Sequence, residues 1–93
     1  MATVRISSQV ETFLASLAPE PKKRLRAALV ALGKGEGDMK ALEDDLAGFY
    51  RLRVARYRVV FCYRAPDTID CIFAEERSMV YELFSALLKE RLE

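Results

Sequence analysis

The hydrophobic pattern of this chain changes period halfway along it. Val10, Phe13, Leu14 and Leu17 recur at i, i+3, i+4 and i+7, the spacing of one helix face. Ser8 and Glu11 have capping-box spacing, so a helix is predicted to open there. Pro19 and Pro21 interrupt the pattern, and Pro21 suits the first turn of a second helix. That helix, KKRLRAALVALGKG, turns Leu25, Ala28, Leu29 and Leu32 inward and is stopped by Gly33. The two helices read as an antiparallel hairpin, preceded by a short strand, Thr3–Ile6. The stretch GKGEGDMKALEDDLAG, rich in glycine and acid, reads as a loop with a weak apolar pulse at Met39, Leu42 and Leu46.

From Phe49 the period falls to two. FYRLRVARYRVVFCYR, residues 49–64, predicts two strands, RAPDT breaks them, and IDCIFAEE supplies another. The chain closes on SMVYELFSALLKERLE, where Val80, Leu83, Phe84, Leu87 and Leu88 form an amphipathic helical stripe. The resulting order is β-α-α-β-β-β-α. It predicts one α+β domain over residues 1–93: an N-terminal helical hairpin packed on a twisted antiparallel sheet of about four strands, with a C-terminal helix.

Composition narrows the class. A chain of 93 residues, 52% apolar and 31% charged, supports one soluble globular domain. No run has the length of a membrane span and the N-terminus lacks a signal-peptide core, so a cytoplasmic location away from membranes is expected. Cys62 and Cys71 lie in strand-like surroundings, and no histidine is present to complete a zinc set. They are expected to be buried free thiols, and neither metal nor cofactor is expected. Without histidine the commonest general base is missing as well.

The net charge of +1 conceals a partition. Residues 1–50 balance seven basic against seven acidic residues. Residues 51–64 carry Arg51, Arg53, Arg56, Arg58 and Arg64 with no acid, and residues 65–93 carry three basic and seven acidic residues. If Ala55-Arg56 is a two-residue hairpin loop, Val54 lies opposite Tyr57, Arg53 opposite Arg58 and Leu52 opposite Val59. Leu52, Val54, Tyr57, Val59 and Phe61 then make an apolar face for the N-terminal helices. Arg51, Arg53 and Arg58 gather on the reverse face. Like charges directly opposite on a sheet cost a few tenths to about 1 kcal/mol, so folding alone does not call for that pairing. An anion that guanidinium groups would hold could answer it, a phosphate or the carboxylates of a protein segment; the alternative is a solvated strand face with arginine stems lying over apolar neighbours.

GFYRLRVARYRVVFCY followed by AEERSMVYELF resembles the RelE/ParE superfamily of toxin–antitoxin toxins, on the RelE side, and the likeness of element order extends over nearly the whole chain. The resemblance implies a toxin of a type II toxin–antitoxin system that cuts mRNA on the ribosome. The implied chemistry is metal-free transesterification by the RNA 2′-hydroxyl, leaving a 2′,3′-cyclic phosphate. It implies that Arg51 and Arg53 hold phosphates, with one of them serving in proton transfer. Arg58 would stabilise charge on the scissile phosphate, and Tyr81 would stack on a base and orient the 2′-hydroxyl. Arg56 and Arg77 would bind substrate. A cognate antitoxin is the implied protein partner.

One position departs from the pattern. Glu75, beside Glu76, stands where RNA-cutting relatives often carry a second arginine two residues before the Arg77-Ser78 pair. Two other activities remain open on the sequence: a ParE-like gyrase inhibitor without catalysis, and a degenerate toxin that retains only antitoxin binding.

Overall fold

The computed structural model describes residues 1–76 and 80–92, without the side chains of residues 80, 81 and 90–92. The chain runs β1 (Thr3–Ile6), α1 (Ser8–Ser16), α2 (Pro19–Gly33), β2 (Asp38–Ala41), a 3-10 turn (Asp44–Leu46), β3 (Tyr50–Val54), β4 (Tyr57–Arg64), β5 (Thr68–Glu76) and α3 (Val80–Leu92). The strands form one sheet in the order β1-β5-β4-β3-β2. This α+β architecture agrees with the expected class, with one correction. The sheet has five strands and is mixed, because β1 pairs parallel with β5 while every other pair is antiparallel.

The additional strand is β2, inside the segment expected to be a loop. Met39 is its one large apolar residue; Asp38 and Lys40 flank it and Ala41 follows. Its pairing is carried by the backbone, with Met39 opposite Leu52 and Lys40 opposite Arg51. Gly37 admits the chain to this edge. Its φ is +136°, and a Cβ there would sit 2.8 Å from Leu52 Cδ1, so a side chain would be both strained and obstructed.

The first helix opens one residue earlier than the capping-box spacing suggests. Ser7 is the N-cap and its Oγ accepts from the Val10 amide at 3.2 Å. Pro19 rather than Pro21 takes the first position of α2, where its missing N–H costs nothing.

Two cores form, one on each side of the sheet. Val10 and Leu14 of α1 and Leu25, Leu29 and Leu32 of α2 pack on Leu52, Val54, Tyr57, Val59 and Phe61, the face expected for them. On the reverse side Phe84 of α3 packs with Val60 and Phe73, supported by Leu87 and Leu88. This second core covers part of the α3 stripe: Phe84 is 1% exposed, Leu87 and Leu88 are half-buried, and Leu83 is 37% exposed.

The outer edge of β5 continues past β1, and α1 closes it with side chains. Ser7 Oγ donates to the Ile72 carbonyl at 2.9 Å. Gln9 Nε2 donates to the Ala74 carbonyl and Gln9 Oε1 accepts from the Ala74 amide, each at 2.8 Å. One amide side chain thus does the work of a strand residue at a sheet edge.

Candidate functional site

The two-residue turn Ala55-Arg56 fixes the register of the hairpin. Val54 faces Tyr57 and Arg53 faces Arg58, as the alternation predicts. Partners opposite each other share a face, so the ladders across β2, β3, β4 and β5 define two rows on the α3 side of the sheet. One row reads Asp38, Arg53, Arg58, Glu75, and the next reads Lys40, Arg51, Val60, Phe73. Val60 and Phe73 lie under Phe84, so α3 covers the apolar end of this face.

The three arginines brought together differ in what they do. Arg53 is exposed. Arg51 Nη1 donates to Asp38 twice, to Oδ1 at 3.3 Å and to the backbone carbonyl at 3.2 Å, and its side chain is 16% exposed. Arg58 is buried at 6% exposure, and its Nη1 donates to the carbonyls of Ala55 at 3.1 Å and Tyr57 at 2.9 Å. Ala55 holds a φ of +54°, a left-handed conformation that costs a non-glycine residue about 1–2 kcal/mol. The Arg58 guanidinium braces that turn. The register gathers the three arginines on one face as expected, but Arg58 is buried there and folded back onto its own hairpin.

Acids frame the pair. Asp38 lies beyond Arg53 and Glu75 beyond Arg58, so two adjacent cations are bracketed by carboxylates on the flanking strands. Glu75 is half-buried, and its Oε1 accepts from the Glu76 amide at 3.1 Å.

The remaining expected site residues lie elsewhere. Arg56, in the turn, reaches Glu76 at 3.7 Å and lies 5.9 Å from the Tyr57 ring centroid. It lines a groove with Arg24, Glu20 and Pro21 of α2, apart from the Arg51–Arg53 rows. Tyr81 belongs to the first turn of α3, but its side chain lies outside the described residues, as does Arg77 entirely. The sequence reading missed Asp38 and Lys40. The signal was the polar-apolar-polar alternation Asp38-Met39-Lys40 just after Gly37, too short to outweigh the surrounding glycines and acids.

Cys62 and Cys71 are buried free thiols. Burial, the adjacent Asp70 carboxylate and Cys62 push the Cys71 thiol up to about 12. Such a thiol is protonated and unreactive at neutral pH. Among the described residues no group of three acids or cysteines could hold a metal, and no helix is long and apolar enough to cross a membrane.

No protein-family model matches the sequence, and no curated protein matches it. Solved structures do match the fold. The toxin–antitoxin complex RelBE2 from Mycobacterium tuberculosis superposes with a TM-score of 0.72 at 22% identity, over 82% of this chain and 98% of that one. The RelB–RelE antitoxin–toxin complex from Methanococcus jannaschii gives 0.68 at 19% identity, over 86% and 98%. The isolated Escherichia coli RelE toxin gives 0.67 at 13% identity, over 97% and 98%. The chain has the RelE-like toxin fold.

Proposed function

We propose that the chain is the toxin of a type II toxin–antitoxin pair and a ribosome-dependent mRNA endoribonuclease. The observation that carries this reading is the pairing of Arg53 with Arg58, with Arg51 beside Arg53 on one face of the sheet. Phosphoryl transfer is catalysed mostly by positioning and by cations placed where negative charge builds up, so an arginine face can carry it without histidine. The 2′-oxygen of the RNA attacks the adjacent phosphorus, the bond to the 5′-oxygen breaks, and a 2′,3′-cyclic phosphate and a 5′-hydroxyl are left.

Arg53, exposed, grips the non-bridging oxygens of the scissile phosphate, while Arg51, oriented by Asp38, holds a flanking one. Arg58, opposite Arg53 on the neighbouring strand, adds positive charge to the same face. Arginine is protonated at any physiological pH and cannot take the 2′-hydroxyl proton. Glu75, opposite Arg58 and not engaged with Arg51 as Asp38 is, is the acceptor on this face. Tyr81 stacks on a base beside the cleavage point, a mode common for unpaired RNA. Arg56 and Arg77 bind RNA outside the reacting phosphate.

The partner is a cognate antitoxin. An apolar groove between β1, α1 and α2 suits it, since Val30 is 64% exposed there, Ile6 is 40% exposed, and Lys22 and Arg26 line the same groove. An amphipathic helix with acidic flanks fits such a surface.

A specific observation favours a second reading, a toxin that retains antitoxin binding and has lost cleavage. Arg58 is turned onto carbonyls, and Glu75 places negative charge where RNA phosphates would lie. One experiment separates the two. The protein is induced in cells and the 5′ ends of ribosome-bound messages are mapped, with Arg53→Ala as the comparison. Codon-positioned cuts that vanish in Arg53→Ala support the nuclease. Growth without cuts overturns it, and gyrase-type DNA damage would indicate the ParE-like activity instead.

A further inference from the structure

Strand β2 brings a cation to the arginine face that the linear arginine motif does not contain. Lys40 stands opposite Arg51 in the β2–β3 ladder, next to the row that holds Arg53 and Arg58. Residues directly opposite in an antiparallel pair have Cα atoms about 4.5–5.5 Å apart, well within the reach of both long side chains. Lys40 is exposed and makes no ion pair among the described residues. A small groove lies between the two, lined by Lys40, Ala41, Leu42, Glu43 and Arg51.

This is the second like-charge pair on the same face, and it repeats the argument raised by the first. Two opposed cations on a four-residue edge strand weaken the pairing of that strand, which has one large apolar residue to hold it. Asp38, two residues away on β2, is engaged with Arg51, and Glu43 lies on the rim of the groove. Two cations and two carboxylates meet at the mouth, and Lys40 is the exposed cation there that no described carboxylate engages; it continues the charge of Arg53 toward the sheet edge.

We propose that Lys40 and Arg51 together hold a phosphate of single-stranded RNA adjacent to the one at Arg53, so that the RNA backbone crosses the sheet from β4 toward β2. The inference rests on the phosphate-handling reading of this face and adds Lys40 as a backbone-binding residue. Phosphate contacts of this kind position the strand and carry no sequence information.

The test is the salt dependence of binding to a short single-stranded 2′-O-methyl oligonucleotide, which has no free 2′-hydroxyl and cannot be cut. Each phosphate contact on a single strand contributes about 0.7 to the slope of log affinity against log salt. Lys40→Ala is expected to lower that slope by about 0.7, with weaker binding at low salt that converges on the wild type as salt rises. Lys40→Arg should restore the slope. Lys23→Ala makes the same charge change on α2, which packs on the reverse side of the sheet, and should leave it unchanged. A wild-type slope in Lys40→Ala, or an equal loss in Lys23→Ala, overturns the proposal. Binding by the wild type without salt dependence, or none at all, also overturns it. Message cleavage in cells is scored separately, so a nuclease that does not use Lys40 is distinguishable from a protein that is no nuclease.

Discussion

Arg53 and Arg58 stand directly opposite each other across the β3–β4 hairpin, one exposed and one 6% exposed, with Asp38 and Glu75 next in line on either side. The row is acid, base, base, acid. The flanking carboxylates offset part of the repulsion between the guanidinium groups, and the two turn carbonyls engage Arg58. The hairpin can thus keep a charge pair that alternation alone would penalise. What it leaves open to solvent is Arg53.

That asymmetry predicts opposite outcomes for two alanine substitutions. Arg58→Ala removes a buried cation that donates to the Ala55 and Tyr57 carbonyls, and hydrogen bonds from charged groups are worth about 1.5–3 kcal/mol. It should lower the denaturant midpoint. Arg53→Ala removes an exposed cation and relieves repulsion, so stability should hold within about 0.5 kcal/mol. If the proposed nuclease reading holds, growth arrest and message cleavage should still be lost in Arg53→Ala, because that reading gives the exposed guanidinium the contact with phosphate. Equilibrium unfolding beside an induction assay checks both halves.

Phe84 is the keystone of the second core. It is 1% exposed, lies 5.1 Å from the Phe49 ring and 5.9 Å from the Phe73 ring, and joins α3 to the sheet. Phe84→Ala should cost about 3–5 kcal/mol, a large share of what so small a domain has. Because α3 carries Tyr81, cleavage should fall together with stability. Hydrogen exchange should show the amides of α3 losing protection before those of β4 and β5.

Much of this was readable from residue order, and the failures have physical causes. The hairpin register was legible because a two-residue loop leaves one pairing, and because Leu52, Val59 and Phe61 all needed the same buried face. Strand β2 was not, because an edge strand needs backbone partners more than apolar side chains, and Met39 alone is a faint signal. The parallel pairing of Thr3–Ile6 with Thr68–Cys71 joins segments at opposite ends of the chain, a choice that no local pattern encodes. Of the candidate site, alternation predicted which face Arg51, Arg53 and Arg58 share. It could not predict the burial of Arg58, which depends on how its side chain folds back over the turn.

Gln9 offers a test of how that sheet is finished. Its amide makes two hydrogen bonds of 2.8 Å with Ala74, closing the edge of β5 beyond the end of β1. Gln9→Ala leaves a donor and an acceptor of the strand without their partner, which should cost about 1–3 kcal/mol. Gln9→Glu keeps the acceptor and loses the donor, so it should recover only part. A thermal melt series of the three proteins gives the ranking, and an unchanged midpoint in Gln9→Ala would show that water closes the edge equally well.

The buried thiol of Cys71 predicts how stability depends on alkaline pH. Its folded value is raised from 9.0 to about 12 by burial first, then by Asp70 and Cys62. Between those values the unfolded chain gives up the Cys71 proton and the folded chain keeps it. The unfolded state then binds fewer protons, so the free energy of unfolding falls as pH rises. The contribution is fully present below about pH 9 and is lost as pH climbs toward about 12. The limiting slope is about 1.4 kcal/mol per pH unit. Comparing wild type with Cys71→Ala separates the contribution of this thiol from that of every other group. The variant should start less stable, because it leaves a small void beside Phe61, its cross-strand partner. Its stability should then decline less steeply above pH 9. Parallel curves for the two proteins from pH 8 to pH 11 would show that Cys71 ionises as readily folded as unfolded, and that the thiol is not sealed in the core.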